Sequence, residues 1–257
     1  MFDTFSSTCL KNFEKVGLDG QVDVLFKKRY DTKYIFSPEL LKTILVRLSP
    51  NYRVLNINNN YIQDYESLYF DNSEFKFYLE HHNGKLNRYK IRFRRYLQSK
   101  LIFIEIKFKN NKNQTKKWRE EINETSYFQN LMTEKERSFI NTFLRQNPGQ
   151  LYPRVKVTYS RLTLIHKEIP ERITIDLNLS YLKNGETKNY KNIVIAEVKQ
   201  GNLGQYSDFF NIMHEHKILP LRFSKYCFGI CQFYPWLKHN KFKPRNLFFE
   251  RKYNGNN

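Results

Sequence analysis

Cysteine is scarce: the 257 residues contain three, Cys9, Cys227 and Cys231. An odd number without paired C-x-x-C spacing supports neither a disulfide framework nor a structural zinc site, and it fits a reducing cytosol. Long apolar runs are missing as well. A membrane-spanning helix needs about 18 such residues, and the richest stretch, Leu101 to Phe108, is broken by Glu105 and Lys107. The first twenty residues show no basic segment followed by an apolar block, so they do not read as a signal peptide. No RNP-type, KH or zinc-finger signature is found. Carboxylates are few: 25 Asp and Glu stand against 44 Lys and Arg, a net charge of +19. An acidic partner follows.

Hydrophobic residues make up 40% of the chain and aromatic ones 16%, which is enough to build a core and to exclude wholesale disorder. Residues 1–24 read as a peripheral segment, 25–232 as one continuous domain and 233–257 as a basic tail. Strand alternation dominates the domain. Ile102, Ile104, Ile106 and Phe108 oppose Phe103, Glu105, Lys107 and Lys109. Tyr89, Ile91 and Phe93 oppose Lys90, Arg92 and Arg94, and Ile173 to Leu179 and Val194 to Val198 alternate in the same way. Further strands are expected over 27–36, 52–57, 65–70, 118–122 and 151–163. Ser37 and Pro38 open a helix with an apolar stripe of Leu40, Leu41, Ile44, Leu45 and Leu48. Thr133 and Glu136 form a capping box, and shorter helices are expected at 73–82, 207–216 and 224–232. The class is α+β, a large antiparallel sheet or barrel with amphipathic helices packed outside.

The polar faces carry the chemistry. Ordinary sheets show mixed polar residues on the wet side, whereas here arginine and lysine recur at period two with an occasional carboxylate. Either an open sheet has a basic surface, or a barrel holds its charges inside. Clustered cations in an interior repel and lose hydration, so such a tunnel is stable only when partly hydrated or filled by a polyanion. Guanidinium forks and lysine point charges suit phosphate. The embedded carboxylates, in E-x-K at Glu105-Ile106-Lys107 and Glu197-Val198-Lys199, suit a hard divalent cation or an ion pair with a neighbouring cation. Arg161 lies off the parity of Arg154, Lys156 and Thr158, which a β-bulge reconciles. His81, His82, His214 and His216 lack metal-ligand spacing. Cys227 and Cys231, one helical turn apart, read as buried apolar side chains, and Tyr65, Tyr69 and Tyr96 as packing. The lysines of 112–117 and 238–245 are read as lying outside the charged array.

The ordered segments RYDTKYIF, YESLYFD, KIRFRRY, FIEIKFK, TYSRLTL, RITIDLNL, IAEVK and RFSKY, over about residues 25 to 230, resemble the successive motifs of the VTC domain. That is the polyphosphate polymerase domain of the vacuolar transporter chaperone complex, in the CYTH or triphosphate tunnel metalloenzyme superfamily. The resemblance implies an eight-stranded antiparallel β-barrel tunnel with a basic interior. It implies catalytic roles for Lys33, Arg92, Arg94, Lys107, Arg161, Arg172 and Lys199. Phosphate binding falls to Arg29, Arg88, Lys90, Lys109, Arg222 and Lys225. Glu197 and Glu105 are the implied ligands of Mn²⁺ or Mg²⁺. Two positions depart from the pattern, with His81 in place of an arginine and Lys109 in place of a histidine.

The implied reaction is phosphoryl transfer from ATP in the cytoplasm. Attack by the end of a growing chain gives polyphosphate and ADP, and attack by water gives a triphosphatase. A protein that only binds polyphosphate or RNA is the alternative from another class. If the arginines line a crowded tunnel, replacing Arg92 or Arg94 is expected to abolish activity with little loss of stability.

Overall fold

The computed structural model describes residues 9–18, 30–112, 114–201, 207–244, 246–247 and 249. Eleven strands are present among them: β1 (Glu14–Val16), β2 (Tyr30–Phe36), β3 (Tyr52–Leu55), β4 (Ile62–Asp71), β5 (Arg88–Tyr96), β6 (Ile102–Lys109), β7 (Thr115–Glu121), β8 (Tyr152–His166), β9 (Glu171–Lys183), β10 (Glu186–Tyr190) and β11 (Val194–Gln200). The helices are α1 (Leu41–Leu48), α2 (Lys76–His82), α3 (Glu124–Phe128), α4 (Glu134–Phe143), α5 (Asp208–Glu215) and α6 (Lys225–Phe233). Eight strands hydrogen-bond in the order β2-β11-β9-β8-β4-β5-β6-β7, with β3 on β8, β1 on β3 and β10 on β9. Adjacent strands along this path run antiparallel wherever their register is defined, and β1 pairs with β3 in parallel. The eight-stranded antiparallel sheet with helices packed on it is the architecture expected from the alternation and the motif series.

The chain divides into two compact units, and the long strands β8 and β9 contribute one end to each. The first unit comprises residues up to 63, 159–179 and 190–223. Its helix face is apolar because the period-two pattern puts Tyr34 and Phe36, Ile173, Ile175 and Leu177, and Val194, Ala196 and Val198 on one side. They pack with Ile44, Leu45 and Leu48 of α1 and with Phe209, Ile212 and Met213 of α5. Ser37 accepts from Glu39 N at the start of this helical segment, which begins with one 3₁₀ turn from Pro38 to Leu40. A buried carboxylate, Glu171, stands at the start of β9. Tyr52 OH and Gln200 Nε2 donate to it, the latter at 2.6 Å. Burial raises its pKa, while the hydroxyls of Tyr52 and Ser207 draw it down.

The second unit holds residues 64–158, 180–189 and 224–257. Leu68, Phe70, Ile91, Phe93, Ile104 and Ile106 form its apolar sheet face, packed with Tyr127 of α3 and Ile140 of α4. The Thr133–Glu136 capping box forms, and Glu136 also accepts from Ser126 Oγ at 2.8 Å. Asp71, fully buried at the end of β4, accepts from Phe77 N at 3.0 Å and Tyr78 N at 2.9 Å, so it caps α2 from a distance. Tyr226 OH of α6 donates to the same carboxylate. Gly229 lets α6 approach β9: a Cβ there would lie 2.7 Å from the Tyr181 ring.

Two strands escape the sequence reading. β10 is joined to β9 by Asn184 and Gly185, both at positive φ (48° and 84°), the signature of a two-residue hairpin turn. The short parallel β1 has no local signal of its own. Truncating Asp71 orphans two helix N–H groups and a buried hydroxyl, each costing about 1 to 3 kcal/mol. Asp71→Ala should therefore lose about 3 kcal/mol or more in urea unfolding, and a loss below about 1 kcal/mol would contradict this anchoring role.

Candidate functional site

In the first unit, antiparallel register turns three short motifs into a grid. Lys33 of β2 lies opposite Glu197 of β11, which lies opposite Thr174 of β9. Asp31, Lys199 and Arg172 form the next row, and Ile35, Ile195 and Asp176 the third. All nine side chains lie on the face turned away from α1 and α5, since opposed residues of an antiparallel pair share a side. Lys33 Nζ is 3.3 Å from Glu197 Oε2, and Lys199 Nζ is 3.8 Å from Glu197 Oε1. Arg161 of β8 grips the buried Asp176 through Nε at 2.6 Å and Nη2 at 2.9 Å.

Arg161 reaches this face because strand parity changes within β8. Val155, Val157 and Tyr159 are buried before the change, and Leu162 and Leu164 after it. On β9, Asn178 takes a left-handed φ of 52°, and its side-chain amide donates to Ser160 Oγ at 3.4 Å. The expected bulge is therefore expressed as an irregularity shared by both strands.

Lys199 is the most constrained cation of this unit, at 7% exposure. Burial lowers its pKa to about 8; Glu197 acts against this, and Arg161 and Arg172 add to it. It is thus charged at neutral pH but close to release. Arg222 follows Leu221, whose N–H donates to the Lys33 carbonyl at 2.8 Å, and its side chain is exposed. Arg29, expected to bind phosphate, lies outside the described residues.

The second unit repeats the design with four strands. Tyr69, Arg92, Glu105 and Arg119 form one row across β4, β5, β6 and β7, and Ser67, Arg94, Phe103 and Glu121 the next. Lys90, Lys107 and Lys117 form a third row, with Arg88, Lys109 and Thr115 beyond it. Arg92 donates to Glu105 Oε2 through Nε at 2.8 Å and Nη2 at 2.6 Å, and through Nη1 to Tyr69 OH at 3.0 Å. Arg94 Nε lies 3.8 Å from the same oxygen, and its guanidinium sits 5.4 Å from the Tyr65 ring centre. Burial alone would raise the Glu105 carboxyl, but Arg92 and Arg94, with Lys117, hold it at about 2. Lys90 Nζ donates to Ser224 Oγ at 2.8 Å, the hydroxyl that caps α6 through Cys227 N. Lys225 begins that helix.

Three results revise the sequence reading. Lys117 lies on β7 opposite Lys107 and belongs to the charged face, not to an external loop. Arg119 was missed; its signal was the alternation of Lys117, Arg119 and Glu121 with Trp118, which stacks on Phe143 at 4.8 Å. Asp31 and Asp176 were also missed as carboxylates of the first unit. Tyr65, Tyr69 and Tyr96 do pack, Tyr65 on Tyr96 and Tyr69 on Tyr226, while Tyr65 and Tyr69 also face the arginines. His82 Nε2 accepts from Lys241 N at 3.2 Å, a structural role.

Glu197 and Glu105 lie in different units, and among the described residues no three His, Cys, Asp or Glu side chains form a group able to hold a metal ion. A carboxylate beside several cations still fits a divalent ion that takes most of its ligands from phosphate and water, since Mg²⁺ needs only one or two protein carboxylates. Glu197, held by lysines at 3.3 and 3.8 Å, meets that description. Glu105 is more committed, because both Arg92 bonds converge on one of its oxygens.

A family model described as the VTC domain matches residues 28–234. Among solved structures, a proposed adenylyl cyclase from Hippeastrum, reported to show a dominant triphosphatase activity, aligns with a TM-score of 0.50 at 12% identity. The alignment covers 80% of this chain and 96% of that one. A proposed adenylate cyclase from Bacillus halodurans aligns at 0.49 and 12% identity, over 79% and 96%. No curated protein matches by sequence.

Two predictions follow from the charges. If Lys199 contacts phosphate as a cation, tripolyphosphate affinity measured by calorimetry should fall as pH rises through about 8, with proton uptake on binding above that pH; Lys199→Arg should flatten the profile. A wild-type affinity constant from pH 7 to 9 would contradict the placement. The Arg92–Glu105 bond sets the two arginines apart, although both were expected to be replaceable with little loss of stability. Arg92→Ala leaves a half-buried carboxylate short of its main partner and should cost about 2 kcal/mol, more than Arg94→Ala. The Glu105 contribution is complete above its usual pKa of 4.5 and fades as pH falls toward 2, so the gap between the two variants in urea unfolding should close over that range.

Proposed function

Because the chain belongs to the VTC domain family, we propose that it transfers a phosphoryl group from ATP to the end of a phosphate chain, making polyphosphate and releasing ADP. The observation that carries this reading is the grid of cations with embedded carboxylates in each unit. It offers many phosphate contacts in fixed rows. Arg161 and Arg172 in the first unit, and Arg92 and Arg94 in the second, would grip phosphate oxygens. Guanidinium forks suit them because they bind two oxygens at once. Asp176 and Glu105 keep two of these forks aimed, since each is held along one edge of a guanidinium. Lys33, Lys107 and Lys199 supply point charges to the phosphate whose bonds are changing.

A divalent cation, Mn²⁺ or Mg²⁺, would be held by Glu197 and would neutralise charge on the transferred phosphoryl group. Glu105 serves Arg92 first in this account. The bond from the γ-phosphorus to the bridging oxygen breaks, ADP leaves with that electron pair, and an oxygen of the chain's terminal phosphate forms the new bond. Attack by water instead would give ADP and phosphate, and the triphosphatase activity reported for the Hippeastrum protein supports that second reading.

Incubation with ATP and Mn²⁺ distinguishes them. Long phosphate chains on a gel together with ADP are expected, and Glu197→Ala should lower the rate by about 100-fold or more. Free phosphate as the sole phosphate product identifies a triphosphatase. Absence of turnover with any divalent metal, with polyphosphate binding intact in Glu197→Ala, identifies a binding protein.

A further inference from the structure

The second unit carries an aromatic and cationic stack on its surface that serves none of the roles above. Tyr152, 37% exposed, begins it. The Arg154 guanidinium lies 5.3 Å from the Tyr152 ring centre and 4.2 Å from that of Phe75. Phe75 meets Tyr234 edge-on at 4.6 Å, and Tyr234 OH donates to the Arg154 carbonyl at 3.0 Å. Lys183 Nζ sits 3.9 Å from the Tyr234 ring centre and 5.7 Å from that of Trp236. Trp236 ends the series at 70% exposure, on the turn closed by Leu237 N and the Tyr234 carbonyl.

A buried stack holding up an exposed indole is an expensive arrangement for a soluble surface, and the charge around it has one sign. Residues 216–249 contain no Asp or Glu, and the segment after Trp236 carries Lys238, Lys241 and Lys243. Carboxylates of this unit near the stack in sequence are Glu74, exposed beside Phe75, and Glu186, paired with Lys188 at 3.4 Å. Indole rings favour the water–hydrocarbon boundary, and each basic residue near an anionic leaflet adds attraction. Single-stranded nucleic acid fits less well. It takes successive stacking platforms along a groove, and here Phe75 and Tyr234 are each only 6% exposed, leaving one indole to stack on.

We propose that the Trp236 turn docks this protein onto an anionic lipid surface, with Trp236 entering the interface and Lys183 and Lys238 contacting headgroups. The full chain is mixed with phosphatidylcholine vesicles containing 30% phosphatidylserine, a composition chosen for the assay, and binding is read by co-sedimentation and tryptophan emission. Trp118 is the second of two tryptophans, so Trp236→Phe assigns the signal. Binding to the mixed vesicles with a blue shift is expected, with little binding to phosphatidylcholine alone. Trp236→Ala should weaken it about tenfold, and Lys238→Ala about fivefold. Absence of binding, binding unchanged in Trp236→Ala, or release from vesicles by a short single-stranded RNA that itself shifts Trp236 emission would overturn the proposal. ATP turnover of Trp236→Ala should match the wild type and reports that the variant is folded.

Discussion

Like charges set opposite one another across antiparallel strands repel, and this protein sets Lys90, Lys107 and Lys117 in one such row. The first unit does the same with Arg172 beside Lys199, where Glu197 next to Lys199 and Asp31 on the far strand act against the repulsion. Directly opposed like charges destabilise a sheet, so the arrangement must be supported from elsewhere. The support comes from the other face. In β5, β6, β8 and β9 a cation is followed by a buried Ile, Val, Phe or Leu, as in Arg92-Phe93, Lys107-Phe108, Arg161-Leu162 and Arg172-Ile173, and helices pack on that side.

The same constraint explains where the carboxylates stand. Asp176 and Glu105 each sit within an arginine's grip, and Glu197 lies between two lysines. They are too few to neutralise the faces, but enough to fix where the charges point. The depressed pKa of Lys199 records the residual crowding, since burial and two neighbouring arginines all push it the same way. A bound phosphate chain would reverse that balance. Crowding of this kind is an electrostatic reason for a bound polyanion to stabilise the protein.

Much of this was legible in the sequence because period-two alternation encodes both faces at once. Ile102 to Lys109 announced its buried and charged sides residue by residue, and the register between strands then followed the motifs. The run Lys112 to Lys117 did not, because a lysine-rich stretch without apolar alternation at its start looks like a loop until Trp118 is seen packing on Phe143. Asn184-Gly185 marked a hairpin that the weakly apolar β10 concealed. Asp71 and Glu171 could not be recognised at all. Their roles depend on helix ends and tyrosines that lie far away in sequence, and nothing local distinguishes them from exposed carboxylates.

By this electrostatic reasoning the cationic faces are strained without a phosphate chain and relaxed with one. Thermal unfolding with and without tripolyphosphate tests it most directly, because a ligand that binds only the native state raises the midpoint by mass action. Tripolyphosphate at 100 times its dissociation constant should add about 2.7 kcal/mol, and the Arg172→Ala, Arg94→Ala double variant should lose most of that gain. A midpoint that tripolyphosphate leaves unmoved, or moves equally in the wild type and the double variant, would contradict the account.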